Sequence, residues 1–229
     1  MMSKCIVLDA GHGKYGNPYP VIEGKYEGTQ NFIYAGKLAA RLEDAGFTVL
    51  LTRPTIDDDP SLAERGELAG KNNAVLFLSL HSNAPGTSTP PERYPLVRGV
   101  MTFYSLTAKE ENAPFAAALN AAAAGIMQTD NRGIMIREYP SVPEDDYYGV
   151  IRAAAQSGCR QAFLIEHGFH TNIDDATFLT TAACLDRLAD AEAAVICKYF
   201  GQRHGNCSPF TFSGQKISFC SCIFAGFMV

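Results

Sequence analysis

Val75-Leu76-Phe77-Leu78-Ser79-Leu80 runs directly into His81. A run with so little polarity reads as a central strand covered on both faces, as in a parallel sheet, rather than as a half-wetted antiparallel one. Cys5-Ile6-Val7-Leu8 has the same character and leads to Gly11-His12-Gly13, and Ala162-Phe163-Leu164-Ile165 ends at Glu166. Each of these apolar runs is followed by a side chain able to bind a metal or move a proton.

Between the strands the apolar period changes to that of helices. Phe32, Ala35, Leu38, Ala39, Leu42 and Ala45 recur at three and four residues until Gly46 stops the pattern. Ser61 and Glu64 have the spacing of a capping box, opening a short helix to about Asn72. Further strands are expected at Phe47–Leu51, Gly99–Tyr104 and Gly133–Arg137, and a helix over the Ala-rich Phe115–Met127. Ser82–Leu96, with four prolines, reads as a long loop, and Pro140–Gly149 as an acidic, tyrosine-bearing one. Asp174–Phe200 reads as one closing helix. Alternation of this kind gives an α/β fold, a mostly parallel sheet with helices on both faces. Open sheets of that type place their ligands beyond the carboxyl ends of the strands, where His12, His81 and Glu166 are expected to fall.

The chain has 229 residues, 47% hydrophobic and 19% charged, enough for one large domain with a sizeable core. A formal net charge of −5 without a Lys/Arg cluster argues against nucleic acid as a partner. The seven cysteines show no CxxC spacing, so a disulfide framework is not expected, and Cys5, Cys184 and Cys197 fit small apolar packing positions. A signal peptide before the first strand is not expected, and no apolar run approaches the roughly 20 residues of a transmembrane helix. The division expected is a catalytic domain over residues 1–203 and a tail over 204–229. Ile217–Val229 is apolar and carries Cys220 and Cys222; packing on the domain or on a partner is the expected use of that segment, rather than metal binding.

Two imidazoles, His12 and His81, and the carboxylate Glu27 at the head of a helical pattern form a ligand set suited to zinc, with one position left for water. A further carboxylate, Glu166, can take that water's proton. The glycines around His12 let the backbone turn sharply, and Ser82-Asn83 after His81 can supply supporting hydrogen bonds. Glu23 competes with Glu27 as the acidic ligand. His167 and His170 flank the end of the last core strand and could line the cleft or touch substrate. Tyr147 and Tyr148 could stack on sugar or peptide. Arg53 and Arg65 read as salt-bridged structural residues.

These segments resemble the zinc-dependent N-acetylmuramoyl-L-alanine amidases of the type 3 family, known from bacterial autolysins and phage endolysins. The resemblance rests on Leu8-Asp9-Ala10-Gly11-His12-Gly13, Glu27 before Asn31, Thr52-Arg53-Pro54, Leu62 through Arg65, Ser79 through Ala84, Asn131-Arg132-Gly133, and Ile165 through Phe169 with Asn172. It spans about residues 4–200. It implies a twisted sheet of about six strands, Zn2+ held by His12, Glu27 and His81, and Glu166 as the catalytic carboxylate. Glu27 is preferred to Glu23 because Asn31 follows it at the family's spacing. The implied reaction is hydrolysis of the amide between N-acetylmuramic acid and L-alanine in peptidoglycan. With no signal peptide, a phage or prophage endolysin that acts on the wall after release is the expected setting, and a sporulation amidase the other. A zinc peptidase cutting the same stem peptides and a catalytically silent wall-binding module are the alternatives.

Overall fold

A computed structural model describes residues 3–201. Strand β1 (Cys5–Ala10) leads into helix α1 (Glu27–Asp44), β2 (Thr48–Leu51), α2 (Leu62–Lys71) and β3 (Leu76–Asn83). Then come β4 (Val100–Tyr104), α3 (Lys109–Met127), β5 (Asn131–Met135), β6 (Glu138–Tyr139) and β7 (Val142–Asp146). Helix α4 (Gly149–Gln156), β8 (Ala162–Phe169), α5 (Ile173–Thr180) and α6 (Ala182–Phe200) complete the order. Six strands form the main sheet in the order β2-β1-β3-β8-β4-β5. All neighbours run parallel except β4, which lies antiparallel to β8.

Strand alternation splits the core into two layers. Ile6, Leu8, Leu76, Leu78, Leu80, Phe163 and Ile165 face α1, α3, α5 and α6. Val7, Phe77, Phe103 and Leu164 face the thinner layer of α2 and α4, where Ala69, Val150, Ile151 and Ala154 pack. The mostly parallel six-stranded sheet with helices on both faces is therefore as expected. The expected capping box is formed: Ser61 Oγ accepts from the Glu64 backbone N–H at 3.3 Å and Glu64 Oε2 accepts from the Ser61 N–H at 2.8 Å.

Four local expectations are corrected. Strands β3 and β8 do not stop before His81 and Glu166; these two pair directly, and after a shift of register the pairing runs on to Asn83 and Phe169, because backbone pairing continues where the apolar run has ended. The loop Ser82–Leu96 contains a 3₁₀ turn at Pro91–Leu96. The segment Pro140–Gly149 holds most of a β6–β7 hairpin and the start of α4. The closing helix is two helices, broken at Thr181, which is extended at φ −99° and ψ 117°. There the Thr180 and Thr181 hydroxyls donate to carbonyls of the preceding turn, at 2.9 Å to Ala176 and 2.7 Å to Thr177, a local competition that favours ending a helix. The tail, with Cys220 and Cys222, lies outside the described residues. Among the described residues no helix is long and apolar enough to cross a membrane.

Candidate metal centre

The cluster is built from three elements at one rim of the sheet. On β1 and β3, Asp9 and Ser79 are register partners; one strand position pair further along, His81 on β3 faces Glu166 on β8. Alternation puts all four on the α2–α4 side, opposite Ile165 and Leu80. Glu27 enters from the first turn of α1 and is almost fully buried. His12 sits in the turn after β1 with a left-handed backbone, φ 62°, a strained conformation for a non-glycine residue that the surrounding packing has to maintain.

That packing is tight. A Cβ at Gly11 would lie 2.2 Å from the His81 ring, and one at Gly28 would lie 1.8 Å from the Gly13 carbonyl oxygen. Both glycines are required by close approach of the chain to the cluster. Arg65, almost wholly buried, ties the turn to the sheet. It donates to the Asp9 carboxylate at 2.9 Å, to the Ala10 and His12 carbonyls at 2.8 and 3.3 Å, and to Asp59 at 2.8 Å. Asp9 also accepts from Ser79 and Thr52, at 2.5 and 2.6 Å. Arg53 caps three carbonyls, those of Gly28, Ile56 and Asp58, each at 2.8 Å. Arg65 is salt-bridged, as expected, whereas Arg53 is held by these backbone carbonyls rather than by a carboxylate.

One ligating atom from each of His12, Glu27 and His81 lies within 4.8 Å of the other two. His81 Nδ1 is 3.0 Å from Glu27 Oε1, and His12 Nε2 is 3.5 Å from Glu27 Oε2. Tetrahedral ligands about 2.1 Å from an ion stand about 3.4 Å apart, so the donor set fits a small divalent cation with little rearrangement. Glu23 is not part of this cluster. Asn17 Nδ2 donates to Glu27 Oε2 at 2.8 Å and the Ser82 N–H to Glu27 Oε1 at 2.9 Å, orienting the carboxylate. Sequence reading pointed to Ser82 but not to Asn17, which lies in a Gly/Pro-rich loop without periodicity.

Burial alone would raise the Glu27 carboxyl, but the hydrogen bond from His81 and the charges of His81 and His12 outweigh it and hold its pKa well below the ordinary range. Burial would likewise lower His81, yet the Glu27 bond and charge lift it to about 9. In Glu166 burial dominates: its pKa is raised to about 7, with the His81 charge opposing and the Glu27 charge adding. Glu166 Oε2 is buried without a hydrogen-bond partner, a costly state for a carboxylate unless something else approaches it. The cleft above, about 1000 Å³, is lined by His12, His81, Arg65, Tyr148 and Glu166 among others.

The two flanking histidines part company. His170 stacks on Tyr19 with ring centroids 5.2 Å apart and lies 3.1 Å from Ser82 Oγ and 3.8 Å from Glu27, behind the cluster. His167 faces the other side of the sheet, where its Nε2 meets Glu192 of α6 at 2.8 Å and its ring packs against Tyr34 of α1. It does not line the cleft, because adjacent strand residues point to opposite faces. Tyr148 lines the cleft and Tyr147 its extension, as the sequence suggested.

A family model described as N-acetylmuramoyl-L-alanine amidase matches residues 6–198. The chain is similar to the catalytic domain of CwlV, an N-acetylmuramoyl-L-alanine amidase from Bacillus (Paenibacillus) polymyxa var. colistinus. That similarity has a TM-score of 0.69 at 27% identity and covers 87% of this chain and 99% of that one. It is 28% identical over 200 residues to the uncharacterized protein YqiI of Bacillus subtilis (strain 168), covering 87% of this chain and 86% of YqiI. With the N-acetylmuramoyl-L-alanine amidase LytC of the same organism it shares 27% identity over 192 residues, 83% of this chain and 34% of LytC.

Proposed function

The chain belongs to the N-acetylmuramoyl-L-alanine amidase family, and on that premise we propose that it is a zinc-dependent hydrolase of peptidoglycan. The bond cut is the amide joining the lactyl group of N-acetylmuramic acid to the L-alanine of the stem peptide. In this reading residues 1–203 are the catalytic domain, His12, Glu27 and His81 hold the ion, and Glu166 is the catalytic carboxylate. When bound, such an ion supplies Lewis-acid polarisation of a carbonyl and acidification of water.

The observation that carries this reading is the unpartnered Glu166 Oε2, buried in the cleft on the strand beside His81, its register partner. A carboxyl raised to about 7 can accept a proton from water and return it to a leaving amine at neutral pH. The remaining residues hold the geometry. Asn17 and Ser82 fix the Glu27 carboxylate, and Arg65 fixes the turn that carries His12. Tyr148, pushed up to about 12 by burial and the nearby Glu166 charge, stays a neutral hydroxyl at the cleft wall and can donate to substrate.

Mass spectrometry of purified peptidoglycan after digestion, with and without chelator, tests the reading. A new L-alanine amino terminus and a free muramoyl lactate, both abolished by chelator, are the expected products. Cleavage between amino acids identifies a stem-peptide peptidase instead, and binding to sacculi with no soluble fragments identifies a wall-binding module. The setting of a phage or prophage endolysin belongs to the same proposal. Expression in a bacterial host whose membrane is then permeabilised should lyse the cells, and unchanged turbidity would contradict it.

A further inference from the structure

Behind the ligand cluster stands a buried column of side chains that the reaction itself does not use. Past Glu166 strand β8 carries one residue more than β3. From His81 to Asn83 is two steps on β3, whereas from Glu166 to Phe169, the partner of Asn83, is three on β8. The extra residue puts the side-chain alternation of β8 out of step. The His170 N–H still donates to the Asn83 carbonyl, at 3.0 Å, and its ring lies beside Glu27 rather than in the cleft with Glu166.

The column is built outward from the carboxylate. The Ser82 N–H donates to Glu27 Oε1 at 2.9 Å, and the Ser82 hydroxyl lies 3.1 Å from His170 Nδ1. That same nitrogen is 3.8 Å from Glu27 Oε2. One imidazole thus flanks the carboxylate directly and supports it through Ser82. Tyr19 closes the outer side: its ring stacks on His170, 15° from parallel with centroids 5.2 Å apart, and its hydroxyl is 3.4 Å from Ser82 Oγ. Tyr19, Glu27, Ser82 and His170 are all buried. A leucine would fill the place of His170 without the desolvation cost of an imidazole, so the polar contacts are what the ring contributes.

We propose that His170 is a positioning residue of the metal site: with Ser82 and Tyr19 it holds the Glu27 carboxylate in its ligating orientation and so raises the affinity for the ion. The proposal rests on the zinc reading above. Calorimetric titration of the chelator-treated full chain with Zn2+ tests it. His170→Leu should weaken binding about tenfold or more, the usual effect of losing a group that supports a ligand. His170→Asn keeps a polar atom near the place of Nδ1 and should recover most of the loss, a rescue that packing alone would not give. Ser82→Ala is the smaller change and keeps the test open if the leucine variant does not fold; it should weaken binding too. Combined with His170→Leu it should cost no more than His170→Leu alone, because the two act along one path. His167→Leu is the control: it is as deeply buried, on the far side of the sheet, and should leave Zn2+ affinity unchanged.

Unchanged affinity in His170→Leu or Ser82→Ala, an asparagine variant as weak as the leucine one, losses that add in the double variant, or an equal loss in His167→Leu would each overturn the proposal. The expected Zn2+ losses in a chain whose wild type releases no L-alanine termini from peptidoglycan keep the proposal and remove the amidase reading. Cleavage by the wild type, with Zn2+ affinity indifferent to His170, does the reverse.

Discussion

Two histidine–glutamate pairs are built on histidines that face opposite sides of the sheet, His81 of β3 and His167 of β8, and their difference separates chemistry from architecture. His81 and Glu27 approach to 3.0 Å at the cleft, with the His81 side chain 15% exposed. His167 and Glu192 approach to 2.8 Å on the other face, at 2% and 0%. The sealed pair is complete: Glu192 also accepts from the Tyr34 hydroxyl at 2.6 Å. The open pair is incomplete. It has a third ligating group in His12 and a neighbouring acid, Glu166, with one oxygen unpartnered. The same two residue types therefore lock α1 and α6 to the sheet in one place and gather at an open cleft in the other. What differs is whether their hydrogen-bonding capacity is already used.

The sharpest way to break this comparison is to substitute one acid on each face of the sheet, Glu166 of β8 and Glu192 of α6. Glu166→Gln should lower kcat by about a thousandfold, within the range for losing a general base, while calorimetry still finds one zinc per chain. Near-normal turnover would remove Glu166 from the mechanism. Glu192→Ala attacks the sealed side instead, stranding the Tyr34 hydroxyl and the His167 ring. It should cost about 3 kcal/mol in chemical denaturation, with zinc stoichiometry unchanged in the folded protein. A loss of zinc binding with no loss of stability would show that the two sides are not separate.

The open pair should also respond to pH. A His81 pKa raised to about 9 means that the cation-free site holds a proton there at neutral pH, which binding must release. Apparent zinc affinity should therefore fall about tenfold per pH unit below 9, and a flat profile between pH 8 and 6 would contradict the pairing. In chelated protein the sign runs the other way. Stability from the lowered Glu27 is present above its ordinary 4.5 and lost in acid, and that from the raised His81 is present below 6.5 and lost as pH rises through about 9. The pair's contribution to Tm of the cation-free protein should be greatest between 4.5 and 6.5. The smallest effect belongs to Tyr34→Phe, which removes one buried hydroxyl and should cost about 1 kcal/mol with zinc affinity unaltered; an activity loss there would tie the sealed pair to catalysis.

Much of the site was legible because the apolar runs are so uniform. His12, His81 and Glu166 each follow one, and a parallel sheet gathers the ends of its strands. Glu27 was legible as the head of α1 only with the family's spacing beside it, since Glu23 is an equal carboxylate four residues earlier. Asn17 was not, because its left-handed φ of 51° sits in a loop whose Gly and Pro residues carry no period. The β6–β7 hairpin was hidden by polarity: β7 reads Val142-Pro143-Glu144-Asp145-Asp146, with no alternation to mark a strand. The opposite facing of Glu166 and His167 follows from a period of two, but only once β8 is carried past Ile165, where its apolar residues stop. Nothing in the residues of β4 announces that it runs antiparallel to β8.

Zinc-edge X-ray absorption on the loaded protein, beside His12→Ala and His81→Ala, bears most directly on the central claim. Two nitrogens near 2.0–2.1 Å and oxygens near 2.0–2.2 Å are expected in the wild-type protein, with one nitrogen lost or the metal released in each variant. A sulfur shell, or a nitrogen count unchanged by both substitutions, would contradict it.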